Sequence, residues 1–524
     1  MKTEQGTLDM LLSGPEAWDK LQDHIRSYYR MFSAAYSGNS NDLRLTARMK
    51  SFWRRPSKQK IHVPIAADIA ATSSDLLFGE ELQIAAVDND DERPVEKVQH
   101  RLEEIERINN FHALLCEAAE SCSALGDVYL KIMWDRDRMA CPGIKVVQGD
   151  NGYPEYRLGI LRAIHIFTII RDSPDEKSVY RTHEIYEPGR IVTELYQGTS
   201  DSLGLRLDDS LLEEIGIEPE SIVEGDLMLA AHIPNIRPNR MFRSSYMGRS
   251  DFDNLRDLMD ALDEAYSSWV RDIRLGKARL IVPAEYLRRS GEELFAGSSK
   301  TAPTFEFDED VETLVAIDAD TDKSGSFITP SQFAIRAEEH AKTCQDIITK
   351  IVTGAGYSPQ TFGINIVGMA QSGTALRIRE KKSYSTTSKK QAYWQDPLET
   401  LMTALVHLDA KLYPQKGSTD KCHVHIHFPY LFASDIPTMA SSLQLLDAAK
   451  AASTETKVRM LHPDWTADKV VEEVDRIRIE TGMDKSRLDV VMQKVQMQTM
   501  GIDPDSGDFS PSKESKSTGG ENKL

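Results

Sequence analysis

The sequence predicts an α+β fold made of several units, on three observations. Residues 140–240 are rich in β-branched and aromatic runs and follow a helical N-terminal region. Two helices of roughly 25 residues, 250–275 and 331–353, bracket a small β insertion. An uncharged window, Ile351 to Leu376, then passes abruptly into a long charged helix.

At 524 residues the chain exceeds one simple core, so two to four structural units are expected. With 82 acidic against 63 basic residues the formal net charge is −19, which excludes a generally basic nucleic-acid surface. Any contact with DNA must then be local or weak. The five cysteines (Cys116, Cys122, Cys141, Cys344, Cys422) are odd in number and widely spread, without a C-x-x-C pair. They read as reduced intracellular thiols. The N-terminal residues show no long apolar run of the secretory kind. The uncharged window carries five glycines, a proline and many polar residues, a poor membrane span.

Element by element, "PEAWDKLQDHIRSYYRMFSAAYSG" has apolar positions at helical spacing. It is followed by a basic run with aromatics: Arg48, Lys50, Phe52, Trp53, Arg54, Arg55, Lys58 and Lys60. After Pro64, Ile65, Ile69, Leu76 and Leu77 recur near helical period, so a buried helix is expected over 66–78. A further helix is expected from Pro94 to about Leu125. It leads through Gly126 into a strand with Val128, Leu130 and Ile132 on one face and Tyr129, Lys131 and Met133 on the other. The β region follows, with "YRLGILRAIHIFTIIRD", "SVYRTHEIYE" and "RIVTELYQG" separated by Pro, Gly and Asp turn signals.

The helix over 250–275 is signalled by Ser250 with Asp253, which resembles a capping box. Its stripe is Leu255, Leu258, Leu262, Ala265, Trp269 and Ile273, and Gly276 ends it. Its acids lie early (Asp257, Asp260, Asp263, Glu264) and its bases late (Arg271, Arg274, Lys277), as the helix dipole favours. Short strands are expected over 277–330, then the second helix. The long helix, about Thr374 to Leu412, is expected to kink near Asp396–Pro397. The strand "KCHVHIHF" and helices over 436–452, 454–461 and 466–481 follow. The last 25 or so residues are polar and rich in Gly, Ser, Pro and Lys, the composition of a disordered tail.

Catalytic signatures are largely absent. There is no G-x-x-x-x-G-K-[ST] loop, no G-x-S-x-G elbow and no H-E-x-x-H. His423, His425 and His427 share one strand face, as metal ligands would, but no fourth ligand is evident and a polar strand face explains them as well. Asp318, Asp320 and Asp322 imitate the start of a calcium loop. Lys323 stands where glycine is required and Thr329 where glutamate is, so a solvated turn is the simpler reading. The basic run could bind phosphates with aromatic support, or touch a neighbouring acidic subunit. Cys344, inside the second helix with only His340 nearby in sequence, reads as core and not as nucleophile. No cofactor is implied.

Three blocks in order carry a resemblance: "HVPIAADIAATSSDLLFGEEL" (62–82), "AESCSALGDVYLKIMWD" (119–135), and "GYSPQTFGI" (356–364) continuing after a short gap into "QSGTALRIREKKSYSTTSKKQAYWQDPLETLM" (371–402). Together with the helix–β insert–helix between them, they resemble portal proteins, the head–tail connector subunits of long-tailed bacteriophages, over roughly residues 15–495. The resemblance implies a non-enzymatic portal-type fold that forms a homo-oligomeric ring, generally of twelve subunits. That ring would sit in the virion at one capsid vertex after assembly in the host cytoplasm. It would conduct double-stranded DNA non-specifically during packaging and ejection. Its implied partners are the large terminase subunit, a head-completion or adaptor protein, and the major capsid and scaffolding proteins, with no membrane.

The same resemblance divides the chain into an α/β wing (1–249), a first stem helix (250–276), a small clip (277–330) and a second stem helix (331–353). A tunnel loop (354–373), a long kinked helix with a strand returning to the wing (374–435), a helical crown (436–495) and a disordered tail (496–524) complete it. Ile364, Asn365, Ile366, Val367, Met369 and Gln371 would face the channel, with Gly354, Gly356, Gly363, Gly368 and Gly373 as hinges. Basic side chains expected at some portal constrictions are missing between Gly363 and Gly373. Electrostatic contact with DNA would therefore fall to the helix start, at Arg377, Arg379, Lys381 and Lys382. A metal-dependent nuclease or transferase using the acidic turns 88–92 and 318–322, and a capsid-associated ring or scaffold without DNA conduction, are the competing readings.

Overall fold

The computed structural model describes residues 29–37, 61–89, 93–135, 137–172, 178–199, 202–223, 225–240, 245–276, 279–283, 315–317, 329–331, 335–364, 373–429, 436–462, 465 and 467–481. The basic run 48–60, the aspartates at 318–322 and the C-terminal tail lie outside these. The chain divides into two units, Met1–Leu431 and Phe432–Leu524.

In the first unit, helix α1 (29–37) and α2 (Ile65–Phe78) precede strand β1 (Gln83–Asp88). Where one helix was expected from Pro94 to Leu125 there are two, α3 (Glu96–Asn109) and α4 (Phe111–Leu125). Asn110 between them is left-handed, with φ 49°, a conformation asparagine tolerates better than most residues. Gly126, at φ 100°, ends α4. A Cβ on it would lie 2.8 Å from the Arg249 and Ser250 backbone, so glycine is required twice over.

Strand β2 (Asp127–Met133) lies between β3 (Gly143–Gln148) and β10 (Ala230–Pro234), antiparallel to both. The expected alternation does not show in its burial, since every residue from Asp127 to Ile132 is buried. The strand is central and covered on both faces, so Lys131 is enclosed, and it pairs with Glu184 at 2.6 Å. The β-rich region forms a six-stranded antiparallel sheet: β4 (Gly152–Arg157), β5 (Ile160–Asp172), β6 (Val179–Glu187), β7 (Arg190–Gly198), β8 (Leu205–Arg206) and β9 (Glu220–Ile222), the last also pairing with β7. The β4–β5 turn is Leu158–Gly159, both at positive φ, the hand that a two-residue hairpin requires. A short helix, α5 (Ser210–Glu214), precedes β9.

Next come α6 (Arg256–Leu275) and α7 (Ala337–Ala355), with strands β11 (Arg279–Pro283), β12 (Val315–Ile317) and β13 (Thr329–Ser331) between them. β11 is central, parallel to β12 and antiparallel to β13. Both helices start later than expected. Ser250 does not cap α6: its hydroxyl donates to the Ala124 carbonyl at 2.6 Å and accepts from the Phe252 amide, shaping a turn, and the helix begins at Arg256. Ser331, expected to open the second helix, instead ends strand β13.

Helix α8 (Gly373–Leu412) runs through Pro397, and β14 (Cys422–His427) then returns to pair antiparallel with β1. The main core collects α3, α4, the β2 and β5 strands and one face of α8, where Trp394, Leu398, Leu401, Met402 and Leu405 are fully buried. A second core joins α1, α2, α6 and α7, including Phe32, Ile69, Phe252, Leu262, Ile351 and Cys344, which is indeed core. The second unit contains α9 (Ile436–Ala448), α10 (Thr454–Leu461) and α11 (Ala467–Glu480), with Val458, Val470 and Val474 as its small core.

Candidate functional site

The helical hairpin and the root of the segment that follows it form the best-defined polar assembly in the first unit. Leu255 meets Gly354 at one end, while Asp272 meets Arg336 (2.8 Å) and His340 (2.9 Å) at the other, so α6 and α7 run antiparallel. The His340 and Arg336 hydrogen bonds hold the Asp272 carboxyl below its ordinary range. Trp269 stacks on His340. Asp263, midway along α6, takes the His62 ring at 2.8 Å and the Val63 amide at 2.9 Å, fixing the approach to α2. That contact raises the imidazole pKa.

Gly354, expected as a hinge, is inside the last turn of α7. A Cβ there would lie 2.5 Å from Leu255 Cδ2, so the glycine serves close packing. Gly356 does turn the chain. At φ 103° its amide returns to the Thr353 carbonyl and that of Tyr357 to Val352, a Schellman closure. The loop therefore begins after Ala355, and a short 3₁₀ turn (Pro359–Phe362) ends at Gly363, φ 70°.

This root is held against the first half of α8 by a row of side chains at helical spacing. Lys382 Nζ donates to the Thr353 carbonyl. The Ser383 hydroxyl accepts from the Ser358 amide and meets the Thr361 hydroxyl, both at 2.8 Å. Thr386 donates to the Gly356 carbonyl at 2.6 Å. One turn on, Lys390 is buried and donates to Asp251 (2.6 Å), Ser73 (2.6 Å) and the Tyr357 hydroxyl (2.9 Å). Asp251 also accepts from Tyr357 (2.8 Å), Ser123 (2.6 Å) and Asn235 (2.8 Å). Burial and the Asp251 charge raise the Tyr357 phenol well above its usual pKa. The Lys390–Asp251 pair thus joins α2, α4, the turn before α6, the exit from α7 and α8. With the lone pairs satisfied, a charge pair this deeply enclosed is tolerated, whereas loss of one partner would leave the other uncompensated.

Of the residues expected to line a channel, Ile364 is half-buried at the end of the root. Asn365, Ile366, Val367, Gly368, Met369 and Gln371 lie outside the described residues. Gly373 opens α8, and Arg377 and Arg379 lie on its first turns. Lys381 and Lys382 are both exposed, and the Lys382 ammonium also caps α7, where a cation opposes the negative end of the helix dipole. Desolvation of that ammonium lowers its pKa. The buried stripe Ser383, Thr386, Thr387 and Lys390 was missed at the sequence level. Its signal was spacing, i, i+3, i+4, i+7, in polar instead of apolar residues.

His423, His425 and His427 do share the outward face of β14, opposite buried Cys422, Val424 and Ile426. His423 bonds to Asn89 (2.9 Å) and to His425 (3.1 Å), and among the described residues no group of three or more possible ligands could hold a metal ion. No helix among them is long and apolar enough to cross a membrane.

Comparison with known proteins places these elements in a family. Similar solved structures include the virion of a native gene transfer agent particle (12% identity, 76% of this chain and 89% of that one, TM-score 0.35). Two others are the neck of the empty particle with C6 symmetry (11%, 76% and 90%, 0.38) and of the native particle with C12 symmetry (12%, 76% and 89%, 0.36). No curated protein sequence matches. The family model for phage portal proteins of the SPP1 Gp6-like type matches residues 19–487, a span that contains the hairpin, its root and the long helix. On that match the chain belongs to the SPP1 Gp6-like phage portal protein family.

Proposed function

We propose that the protein forms a homo-oligomeric ring, generally twelvefold in this family, which conducts double-stranded DNA at one capsid vertex of the virion and docks the packaging and head-completion machinery. The family match over residues 19–487 carries this reading. In it, residues to 249 and the returning β14 are the wing, α6 and α7 the stem, and 277–330 the clip that meets the large terminase subunit and later the adaptor. The segment beyond the Gly356 cap is the tunnel loop, followed by α8 and the crown from 436. Major capsid and scaffolding proteins would contact the outer surfaces. The role is mechanical and calls for no catalytic residue.

Charge supports a conduit over a clamp. At −19 per chain, a channel wall offers few attractive phosphate contacts, and a loop with no charge from Gly363 to Gly373 adds none. The cations available for DNA are Arg377, Arg379 and Lys381, since Lys382 is committed to capping α7. Electron microscopy of the assembled protein tests the reading: a ring with an axial channel is expected. A ring without a channel would favour a scaffold, and a persistent monomer or dimer would overturn it. Arg377→Gln with Arg379→Gln should alter packaged DNA length or retention, and unchanged packaging would remove these residues from the DNA path.

A further inference from the structure

At the Asn110 break between α3 and α4 the surface opens into a cleft of about 340 Å³. Leu82, Ile84, Phe111 and Leu115 give it apolar walls, and Glu81, Glu103 and Glu106 an acidic side. The Oε1 atom of Glu106 is fully buried and has no hydrogen-bond partner among the described residues. Arg107 and His112 also line the cleft, but neither reaches that oxygen. Burial, then Glu103 and Glu81, push the Glu106 carboxyl up to about 7, as happens where a half-buried acid lies beside other acids. The carboxylates are not grouped as metal ligands are. The arrangement lacks a long cationic side chain with an apolar stem, entering from outside the chain.

The same sequence supplies that chemistry, together with aromatic side chains, in the basic run Arg48 to Lys60. We infer that the cleft formed by Glu81, Glu103 and Glu106 receives the basic segment 48–60 of a neighbouring copy of the chain. Within a chain of net charge −19, complementary charge at one subunit boundary offsets repulsion between copies and fixes their register. The inference rests on the ring reading, and it names one contact that would hold neighbours together.

The test uses assembled full-length protein made from equal parts of ¹⁴N- and ¹⁵N-labelled chains, treated with a zero-length carbodiimide that joins carboxylates to lysine amines. Peptides linking Glu81 or Glu103 to Lys50, Lys58 or Lys60 are expected, with the two isotopes mixed. Same-isotope links alone, or intact rings without these links, would overturn the contact and leave the ring standing. Failure to form rings would overturn both. As a second measurement, Glu103→Lys with Glu106→Lys should weaken assembly at least about tenfold, and Arg54→Glu with Arg55→Glu should restore it. The isosteric Glu106→Gln, which keeps the fold of the cleft, should weaken assembly in the same direction; equal assembly in all variants would refute the proposal.

Discussion

The two ends of α8 are built on opposite principles. From Trp394 to Leu408 its inward face is apolar and buried, and it closes the main core against α2, β10 and β14. From Lys382 to Lys390 the inward face is made of hydroxyls and amines: Lys382, Ser383, Thr386 and Lys390 each bond to a named atom outside the helix, while Thr387 donates to the Ser383 carbonyl within it. Apolar packing resists separation but tolerates small sliding, because dispersion has no direction. Hydrogen bonds to single carbonyls define rotation and rise to a fraction of an ångström. The helix is therefore gripped at one end and aimed at the other, and the aimed end adjoins the segment proposed to line the channel.

Breaking the aiming end at its centre should have the largest effect. Asp251→Ala leaves Lys390 buried without a counter-charge, and a loss of about 3–5 kcal/mol is expected, read by chemical denaturation. Leu401→Ala attacks the gripping end and should cost about 2–5 kcal/mol, while hydrogen exchange at 353–361 keeps its wild-type pattern until global unfolding. Thr386→Val should cost only about 1 kcal/mol yet raise amide exchange at 356–358, a local loosening that the core variant does not produce. If both variants loosen the root equally, the division between the two ends fails.

The smallest effect concerns pH at the far end of the hairpin. Asp272 has a folded pKa below 3.8, set by His340 and Arg336. The unfolded chain then binds more protons in the window below that value, so this contribution is fully present above pH 3.8 and is lost as pH falls through the folded pKa. Asp272→Asn should flatten the acid limb of the stability profile slightly and leave neutral stability nearly unchanged.

The elements legible in the sequence were those written in apolar period: α2, the β4–β7 strands, the hairpin helices and α8. Their ends were less legible. The break at Asn110 depends on one residue's tolerance of a left-handed conformation, and the late start of α6 on a Ser250 hydroxyl that finds Ala124 across the fold. The first rests on a single residue, the second on a partner 126 positions away. The expected channel residues came from the family resemblance together with the uncharged window, which identify a segment but not its anchors. Lys382 shows the limit: its charge placed it with Arg377 and Arg379, whereas the Thr353 carbonyl gives it a different task. Buried polar stripes such as Ser383, Thr386 and Lys390 escape a hydrophobicity reading because their value lies in partners elsewhere in the sequence, from Ser358, 25 positions from Ser383, to Ser73, 317 positions from Lys390.

The pairing of β1 with β14 has a consequence for how the molecule is made. His423 meets Asn89 beside this two-stranded ladder across 334 positions of sequence. At roughly 5–20 residues per second, β1 waits on the order of 15–70 s for its partner to leave the ribosome. Through that interval the strand edge and the groove later filled by α8 stand open in the nascent chain. Final closure of the first unit is thus a late event, and subunit assembly before it would trap that unit unfinished.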